Sequence, residues 1–480
     1  MKKDMGLSQV IYNVIKTQIQ FGVYHFGDTL PTMENASDNF FVAPATIRSA
    51  YLQLQQEGYI TMSPNKGSMI ICDYTEQEIE SYIQLFFSQR KNALIDLSKS
   101  LRLLFGHARW MGLKHAGAKF YNDMLKFNDN DTLQPYFAFN YILRTYGSLQ
   151  NELLNQLLWQ IFTFLEAPFF SISENAWCLY ILKKSAPRTL DYYQKQDWDS
   201  LRKEIIDSQD LFSQALCSFY DSRITARFPQ QEIAFTWNAY KKNSQICYSL
   251  AMEILIAITR GQYAANSLLP SLDKMAKERN VSVSTIRRTL SLLNGVGATK
   301  SVNGIGTRVL PFSETPENCD FTKPVVRKRL LDVAQSLQFL MISCQEIAEA
   351  TVLSLNAASL QIWIETLTHL KKRQQYELTA YVILDLISQF APYQAIRTVY
   401  TEFLQQLFWG YSLRDRWQKY DQKMNLCISY YESFICSLEN ADAAEFSLKI
   451  KELMIHELNF TVKQLIELGI NEAERLLLDD

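Results

Sequence analysis

The stretch GVYHFGDTLP at residues 22–31 recurs as GQYAANSLLP at residues 261–270, and this repetition decides the fold of the chain. At the same offset of 239 residues the match continues without a gap over residues 15–67, with 13 identities in 53 positions. The identical residues include glycines, a proline and spaced apolar residues, which set the turns and the core of a small domain. Self-similarity of this kind indicates that the chain carries two copies of one structural unit.

The repeat extends beyond this window into the helical portions of the chain. Residues 94–105, LIDLSKSLRLLF, match residues 330–341, LLDVAQSLQFLM, and residues 152–159, ELLNQLLW, match residues 402–409, EFLQQLFW. The 480 residues are therefore two tandem copies of a unit of roughly 240 residues, each with a small head followed by a helical bundle. We predict four domains, which are head 1 (residues 1–74), bundle 1 (residues 75–240), head 2 (residues 241–312) and bundle 2 (residues 313–480).

The composition excludes several classes of protein. Hydrophobic residues make up 48% of the chain and charged residues 20%, so extensive disorder is excluded. The N-terminus has no apolar signal segment, and the most apolar long stretch, residues 153–182, is interrupted by polar residues and Pro168, so we expect no membrane span. The eight cysteines are scattered without a CxxC pair, which predicts reduced core residues in a cytoplasmic protein.

Each head has the pattern of three helices followed by a hairpin. Helical apolar spacing that ends in a glycine predicts the first helix, and Thr32 or Ser271 is expected to cap the second. The third helix is predicted over residues 44–57 and 283–296, and two β-rich runs around a glycine predict the hairpin. This arrangement is a winged helix-turn-helix, so the predicted fold class is mainly α, with a small β-wing in each head, two all-α helical bundles and a pseudo-two-fold tandem repeat.

The motifs of both heads resemble those of the GntR family of bacterial transcription regulators. In that family a helix is followed by G-x-Y-x-x-G-x-x-L-P, a second helix, V-x-x-x-T-[IV]-R, and L-x-x-x-G-[YLI]-I with a wing glycine. Head 1 matches over residues 8–72 and head 2 over residues 247–310, where Asn266 and Thr299 replace a family glycine and isoleucine. The resemblance implies that the third helix enters the DNA major groove and that the wing lies over adjacent backbone or minor groove.

The resemblance also implies which residues contact double-stranded DNA, the expected partner. Hydroxyls and guanidinium groups near the start of the recognition helix, together with residues of the wing, are expected to approach bases and phosphates. The candidates are Thr32, Thr46, Arg48, Lys66 and Gly67 in head 1, and Ser271, Ser282, Ser284, Thr285, Arg287, Arg288, Gly306, Thr307 and Arg308 in head 2.

Two departures from the family pattern affect the expected operator. The family usually has an arginine two residues before the recognition-helix threonine, where this chain has Pro44 and Val283. It also usually has an arginine in the second helix, where this chain has Glu34 and Asp273. The family's typical operator sequence is therefore not expected here.

Charge is distributed unequally between the heads, although the whole chain has a formal net charge of −2. Head 1 contains five Lys and Arg against six Asp and Glu, a net charge of −1, whereas head 2 contains ten against three, a net charge of +7. Because phosphate neutralisation supplies much of the affinity for DNA, we predict that head 2 dominates binding. Head 1 would add weaker, specificity-tuning contacts; the alternative is that head 1 is a degenerate structural remnant.

The bundles show dense helical periodicity. One buried stripe is predicted in each, made of Leu94, Leu97, Leu101, Leu104 and Ala108 in bundle 1 and of Leu330, Ala334, Leu337, Met341 and Cys344 in bundle 2. We expect breaks between helices at residues 129–131, Pro168 and Pro187. Residues 137–157 are similar to a helix of the FadR-like branch of the GntR family, which implies effector-binding and dimerisation bundles; a different all-α effector domain is the alternative.

We predict no metal, no cofactor and no enzyme activity. Many members of the FadR-like branch hold a metal through one Asp and three His, but Asn140 stands where one of those histidines is expected. No Ser/His/Asp order, phosphate-binding glycine loop or paired-acid motif stands out. The aromatic residues, 13% of the chain, are expected mostly in the core, Trp159 and Trp409 included; the alternative is that part of them lines an apolar effector cavity in each bundle.

Together these observations predict a cytoplasmic bacterial transcription regulator. Its two covalently linked heads would bind operator half-sites, and its bundles would sense a small effector. Duplication would make the chain a pseudo-dimeric monomer that reads asymmetric sites, and homodimerisation of the whole chain is a further alternative. The rival hypothesis is a ligand-sensing or protein-interaction scaffold whose heads have lost DNA binding.

Overall fold

The chain forms two compact units. The computed structural model describes residues 5–40, 42–63, 67–118, 120–122, 124, 135–226, 231–238, 246–259, 261–311, 314, 318–416 and 420–478. Unit 1 comprises residues 1–150, 154–237 and 393–395, and unit 2 comprises residues 151–153, 238–392 and 396–480. Head 1 and nearly all of bundle 1 thus belong to unit 1, and head 2 and nearly all of bundle 2 to unit 2.

Head 1 folds as three helices and a two-stranded antiparallel sheet. Its elements are α1 (Met5–Gln20), α2 (Met33–Phe40), α3 (Pro44–Gln56), β1 (Ile60–Ser63) and β2 (Gly67–Ile70). Ile11 of α1 and Ile47 and Leu54 of α3 are fully buried where these two helices pack together. Burial of this apolar face stabilises helices that would be too short to persist alone.

The starts and ends of the head 1 helices follow from local chemistry. The Thr32 hydroxyl accepts a hydrogen bond from the Asn35 amide at 3.2 Å and so caps α2. Pro44 occupies the first position of α3, where a missing N–H leaves no hydrogen bond unmade. After α3, Gly58 adopts a φ of +78°, a left-handed conformation that ends the helix. The caps and boundaries predicted for head 1 are confirmed.

Head 2 repeats this arrangement. Its elements are α10 (Ile246–Thr259), α11 (Leu272–Glu278), α12 (Val283–Gly295), β3 (Thr299–Val302) and β4 (Gly306–Val309). The Ser271 hydroxyl accepts from the Lys274 amide at 3.3 Å and caps α11, as predicted. In each head one residue ahead of the second helix forms a single antiparallel β-bridge to the hairpin. The bridge joins Thr29 to Met69 in head 1 and Leu268 to Arg308 in head 2. Two winged helix-turn-helix heads are therefore present.

Bundle 1 is built on the long helix α4 (Glu76–Lys114), which packs against the last helix of the bundle, Trp198–Arg223. Its further elements are α5 (Pro135–Thr145), α6 (Glu152–Ile161), a π-turn (Phe162–Glu166), α7 (Ala167–Phe170), α8 (Ala176–Lys195), α9 (Trp198–Arg223) and 3-10 turns at Gly147–Leu149 and Ser173–Asn175. The predicted stripe of α4 is buried along its whole length, and Trp159 lies in the core as expected.

The break predicted at Pro168 is wrong, because helical residues continue without interruption from Glu152 through the π-turn to Phe170. Pro168 has no N–H to donate to the carbonyl of Phe164 four residues earlier, and the wider i→i+5 turn accommodates this loss. The helix therefore changes type at this point.

The break predicted at Pro187 is wrong, because Pro187 lies inside α8. A proline inside a helix costs about 3 kcal/mol. Its neighbour Ala186 and the next-turn Leu190 pack in a buried cluster with Met124 and Tyr141, and this burial offsets the lost hydrogen bond. The third predicted break, residues 129–131, lies outside the described residues.

Bundle 2 is built on α13 (Pro324–Ser354), which packs against the long C-terminal helix Ala443–Glu467. Its further elements are α14 (Ala357–Arg373), α15 (Thr379–Phe390), α16 (Gln394–Leu407), α17 (Tyr420–Glu439), α18 (Ala443–Glu467) and 3-10 turns at Tyr376–Leu378, Phe408–Arg416 and Asn471–Leu476. The predicted stripe of α13 and Trp409 are buried. The predicted fold class is therefore confirmed, mainly α with two small two-stranded sheets.

The cysteines all carry free thiols. Four are buried, Cys247, Cys319, Cys344 and Cys427, but Cys436 is exposed, so the expectation of a core cysteine is wrong there. Among the helices that the structure describes, none combines the length and the apolar character needed to cross a membrane.

Candidate nucleic-acid interface and ligand cavity

The recognition helix of head 2, α12, begins with a cluster of hydroxyl groups. The Ser282 hydroxyl accepts from the Thr285 amide at 3.2 Å, and it shares hydrogen bonds of 2.8 Å with the hydroxyls of Ser284 and Thr285. Ser282 and Ser284 are exposed. Because the first N–H groups and the dipole of a helix favour an anion, this cluster is suited to a DNA phosphate.

Two arginines follow on the same helix. Arg287 and Arg288 are exposed, and neither forms a hydrogen bond or ion pair with another residue that the structure describes. Ile286 and Leu290, one turn apart on α12, are buried in the head. Burial of these two residues holds α12 in the head while both guanidinium groups point to solvent. Contact with DNA bases or phosphates requires such exposed groups on a firmly held helix.

The recognition helix of head 1, α3, is poorer in these groups. Its N-cap Ala43 makes no side-chain cap hydrogen bond, and Thr46 is only 9% exposed. Lys16 forms an ion pair with Glu57 at 3.3 Å, whereas Arg48 is exposed without an ion pair inside the described part of the head. In that part, Arg48 is therefore the basic side chain best placed to reach DNA.

The second helices of the two heads also differ in charge, and again the helix of head 2 is the more positive. In head 1, α2 exposes Glu34 and Asp38. In head 2, α11 exposes Asp273 but also Lys274 and Lys277, of which Lys274 makes only a long ion pair of 3.9 Å with Glu278. Part of the positive charge counted for head 2, that of Lys274 and Lys277, thus lies on exposed surface of the helix before the recognition helix.

Two of the wing residues predicted to contact DNA in head 2 form hydrogen bonds or ion pairs within the protein. Thr307 is 8% exposed and its hydroxyl shares a hydrogen bond of 3.2 Å with Ser301. Arg308 forms an ion pair with Glu314 at 3.7 Å and donates to Asn266 Oδ1 at 3.3 Å. These contacts hold the two residues in the wing rather than at its tip.

The tip of the head 2 wing presents a residue that the sequence analysis did not select. Ile305 is 65% exposed, between Gly304 and Gly306, whose φ angles are +75° and +131°. Its sequence signal is the isoleucine in NGIG, an apolar residue within a polar turn. The equivalent residue of head 1 is Lys66, which lies outside the described residues; Gly67, at the start of β2, is described and exposed.

Bundle 1 contains a cavity of about 270 Å³. Its walls come from α4, α6, α7, α8 and α9 and the end of α5, and its lining includes the apolar residues Leu101, Phe105, Leu158, Ile161, Phe170 and Phe212. Aromatic residues thus line a cavity in bundle 1. That this cavity binds an effector, and that bundle 2 has a counterpart, stay predictions. This volume is slightly below the range of about 300 to 1,000 Å³ that is usual for ligand sites.

Two charged groups that the sequence analysis missed lie at this cavity. Arg109 of α4 is 5% exposed, and its Nε has no hydrogen-bond partner among the described residues. Glu166, the last residue of the π-turn, also lines the cavity; burial raises the pKa of its carboxyl to about 7, against the opposing effect of Arg109. The signal for Arg109 is a single arginine in the apolar stretch LLFGHARWMGL, residues 103–113.

Within the described residues no three His, Cys, Asp or Glu side chains are grouped so that they could hold a metal ion. His107 of bundle 1 stacks on Trp110 with ring centroids 5.3 Å apart. The side chain of Asn140 lies outside the described residues.

The fold and the exposed recognition helices define a class, a protein with two winged helix-turn-helix DNA-binding heads in one chain. The family of bacterial regulatory proteins named gntR matches residues 7–70 and again residues 249–309. The chain therefore carries two GntR-family DNA-binding domains in tandem, one in each head.

Two solved structures resemble this chain over less than half of its length. One is Streptococcus agalactiae GntR, with 14% identity, a TM-score of 0.21, and coverage of 44% of this chain and 99% of that one. The other comes from work describing Lar as controlling expression of the Listeria monocytogenes agr system and mediating virulence, with 15% identity, a TM-score of 0.19, and coverage of 44% and 96%. No curated protein matches the chain.

Proposed function

We propose that this regulator binds operator DNA mainly through head 2 and adds a weaker second contact through head 1. The observation that carries the proposal is α12, where the hydroxyls of Ser282 and Ser284 and the guanidinium groups of Arg287 and Arg288 are exposed together. Hydroxyls at the helix N-terminus would hold a phosphate and so fix the register, and the arginines would then reach base edges in the major groove.

The two heads would read unequal half-sites. Their folds are equivalent, but α3 offers Arg48 alone where α12 offers two arginines and a hydroxyl cluster. A protein whose two heads sit in one chain does not need a palindromic operator, because its halves are free to differ. Arg48 supports a tuning role for head 1 over a purely structural one. Operator binding also implies a cytoplasmic location, and we expect no catalytic activity.

The bundles would sense a small effector. The cavity of bundle 1, mostly apolar and with few polar groups, supports this part of the proposal because most ligand sites have that character. A bound effector changes DNA affinity only if it binds two arrangements of the heads with different affinity. If the whole chain forms a homodimer with four heads, the effector must likewise bind two arrangements of the heads with different affinity.

DNA binding is expected to depend steeply on salt. If head 2 neutralises about four phosphates, the association constant for duplex DNA should fall about 100-fold between 50 and 200 mM salt. Fluorescence anisotropy of a labelled duplex with the full-length protein measures this slope. Absence of binding at 50 mM salt would overturn the proposal and favour the rival function, a sensing or interaction scaffold, which the acidic surface of head 1 supports.

A further inference from the structure

The wing of head 2 ends in an apolar side chain on a tight turn. The Ile305 amide donates a hydrogen bond to the Val302 carbonyl at 3.1 Å and so closes a four-residue turn. Gly304, the third residue of this turn, has a φ of +75°, a conformation that favours glycine. Strands β3 and β4 pair as far as Val302 and Gly306 on the two sides of the turn. The turn therefore fixes the backbone that carries Ile305, whose side chain is 65% exposed.

Leu268 extends the apolar surface beside this tip. It forms the β-bridge to Arg308 and is itself 49% exposed. A β-carbon on Gly306, the residue after Ile305, would lie 3.9 Å from Cδ2 of Leu268, so the Leu268 side chain reaches the end of the hairpin. Single exposed apolar residues are ordinary on a protein surface, but neighbouring ones on a short hairpin indicate a surface that contacts a partner.

Two cations lie side by side on the strands behind the tip. Lys300 of β3 and Arg308 of β4 are direct cross-strand partners, and Leu268 continues this row on the other side of Arg308. Directly opposed residues of an antiparallel pair point to the same face, and like charges there destabilise the hairpin. Arg308 has an ion pair with Glu314 at 3.7 Å, but Lys300 contacts only the amide oxygen of Asn318 at 3.3 Å among the described residues. The face thus stays positive, which suits a polyanion.

The wing of head 1 differs from that of head 2 at each of these positions. At the offset of 239 residues, the row of one leucine and two cations corresponds to Thr29, Met69 and Thr61, which the same bridge and register join. Ile305 at the tip corresponds to Lys66. An apolar tip in front of a pair of cations is therefore a feature of the head 2 wing.

This combination of groups fits the minor groove of DNA. Proteins that bend DNA insert apolar side chains such as Ile or Leu between neighbouring base pairs in the minor groove, which unstacks them and kinks the duplex. Cationic side chains beside the inserted residue hold the phosphates of the groove. A lysine at the tip, as in head 1, would pair with the DNA backbone instead. An isoleucine there gains nothing from phosphates and favours contact with the faces of bases.

We infer that Ile305, supported by Leu268, is an apolar wedge that enters the minor groove of the operator, unstacks one base step and bends the DNA at head 2. Lys300 and Arg308 would hold the flanking phosphates. Insertion costs least at flexible pyrimidine–purine steps, so Ile305 would determine specificity without a hydrogen bond to any base. The bend would form at one half-site only. The inference rests on the proposed function, because it requires head 2 to bind DNA.

Fluorescence energy transfer between the ends of a duplex measures the bend. The probe is a duplex that the full-length wild-type protein enriches from a random pool. We expect the wild-type protein to bend it by about 20–90°, and Ile305→Ser and Ile305→Lys to lose at least half of this bend. Ile362→Lys is the matched control, because Ile362 is an isoleucine of bundle 2 with 47% exposure, and this variant should bend the duplex as the wild type does.

A fluorescent base analogue locates the wedge. With 2-aminopurine placed at each step in turn, the wild-type protein should raise the fluorescence at one pyrimidine–purine step in the half-site of head 2, and Ile305→Ser should not. Replacing that step by a stiff AA step should weaken wild-type binding about fivefold or more. The same replacement should weaken binding of Ile305→Ser less than about twofold, since the side chain that exploits the step is absent.

The two substitutions at the tip also differ in charge, which provides a second readout. Ile305→Lys introduces the residue of head 1 and should steepen the slope of log K against log salt by about one. Ile305→Ser should leave this slope unchanged. Because Ile305 is mostly exposed, both variants should unfold at the temperature of the wild-type protein. An unchanged slope for Ile305→Lys would mean that the tip does not approach the phosphates and would overturn the inference.

The remaining outcomes separate this inference from the proposed function. Binding that depends on Arg287 but leaves the duplex straight, or a bend that Ile305→Ser retains, would overturn the wedge and leave the proposed function intact. The apolar tip would then be left for a protein partner. An equal 2-aminopurine signal in both half-sites would overturn the assignment to head 2. Absence of salt-dependent DNA binding would refute the proposed function and the wedge with it.

Discussion

Arg287→Ala is expected to weaken DNA binding about 10- to 100-fold, whereas Arg48→Ala should weaken it less than about threefold. Arg287 is exposed on a recognition helix with a second arginine and three hydroxyls at its start, so it would make a guanidinium contact in a register that other groups fix. Arg48 has no such support, because Thr46 is nearly buried and Ala43 offers no cap. Anisotropy titrations at one salt concentration measure both losses.

A surface arginine away from the heads provides the control for this comparison. Arg102→Ala removes one positive charge from α4 of bundle 1 and should leave DNA affinity within about twofold, because only charges near the phosphates contribute strongly. Equal losses for Arg287→Ala and Arg48→Ala would contradict the unequal roles of the heads. A loss of similar size for Arg102→Ala would mean that the measurement reports net charge alone.

Gly112→Ala is expected to reduce the free energy of unfolding of unit 1 by about 3 kcal/mol or more, the upper part of the range for overpacking. Gly112 lies in α4 where this helix meets the end of α5. A β-carbon there would fall far inside van der Waals contact with the carbonyl oxygen of Thr145 and 3.1 Å from Cα of Tyr146. These are backbone atoms, so the two segments would have to move apart. Thermal or urea unfolding of the full-length protein measures the loss.

Gly117→Ala is the matched control for this effect. Gly117 lies just after α4, and a β-carbon there would meet nothing within 4 Å. This substitution should therefore change the free energy of unfolding by no more than about 0.5 kcal/mol. Similar stability of the two variants would mean that α4 and α5 do not approach as closely as the structure has them.

The architecture of the heads could be predicted because local signals determine it. Thr32 and Ser271 cap helices within three residues of themselves, Pro44 starts a helix, and Gly58 ends one. The internal repeat supplied a second copy of each signal. The same local reasoning located the recognition helices and hence Arg48 and Arg287.

The cavity could not be predicted, because it depends on how distant helices pack. Arg109 and Glu166 are 57 positions apart in sequence, and neither belongs to a motif. Pro187 also shows that local sequence rules miss the effect of packing. The rule for proline predicts a break there, but packing of Ala186 and Leu190 keeps the helix intact. Local rules also could not predict which wing residues are exposed. Thr307 shares a hydrogen bond with Ser301, Arg308 contacts Asn266 and Glu314, and Ile305 occupies the tip.

Selection of bound sequences from a pool of random duplexes with the full-length protein tests most directly whether two unequal heads read DNA. We expect the enriched sequences to contain two different half-sites, a stronger one that disappears with Arg287→Ala and a weaker one that disappears with Arg48→Ala. Enrichment of a symmetric inverted repeat whose halves respond equally to both substitutions, or no enrichment at all, would contradict the account.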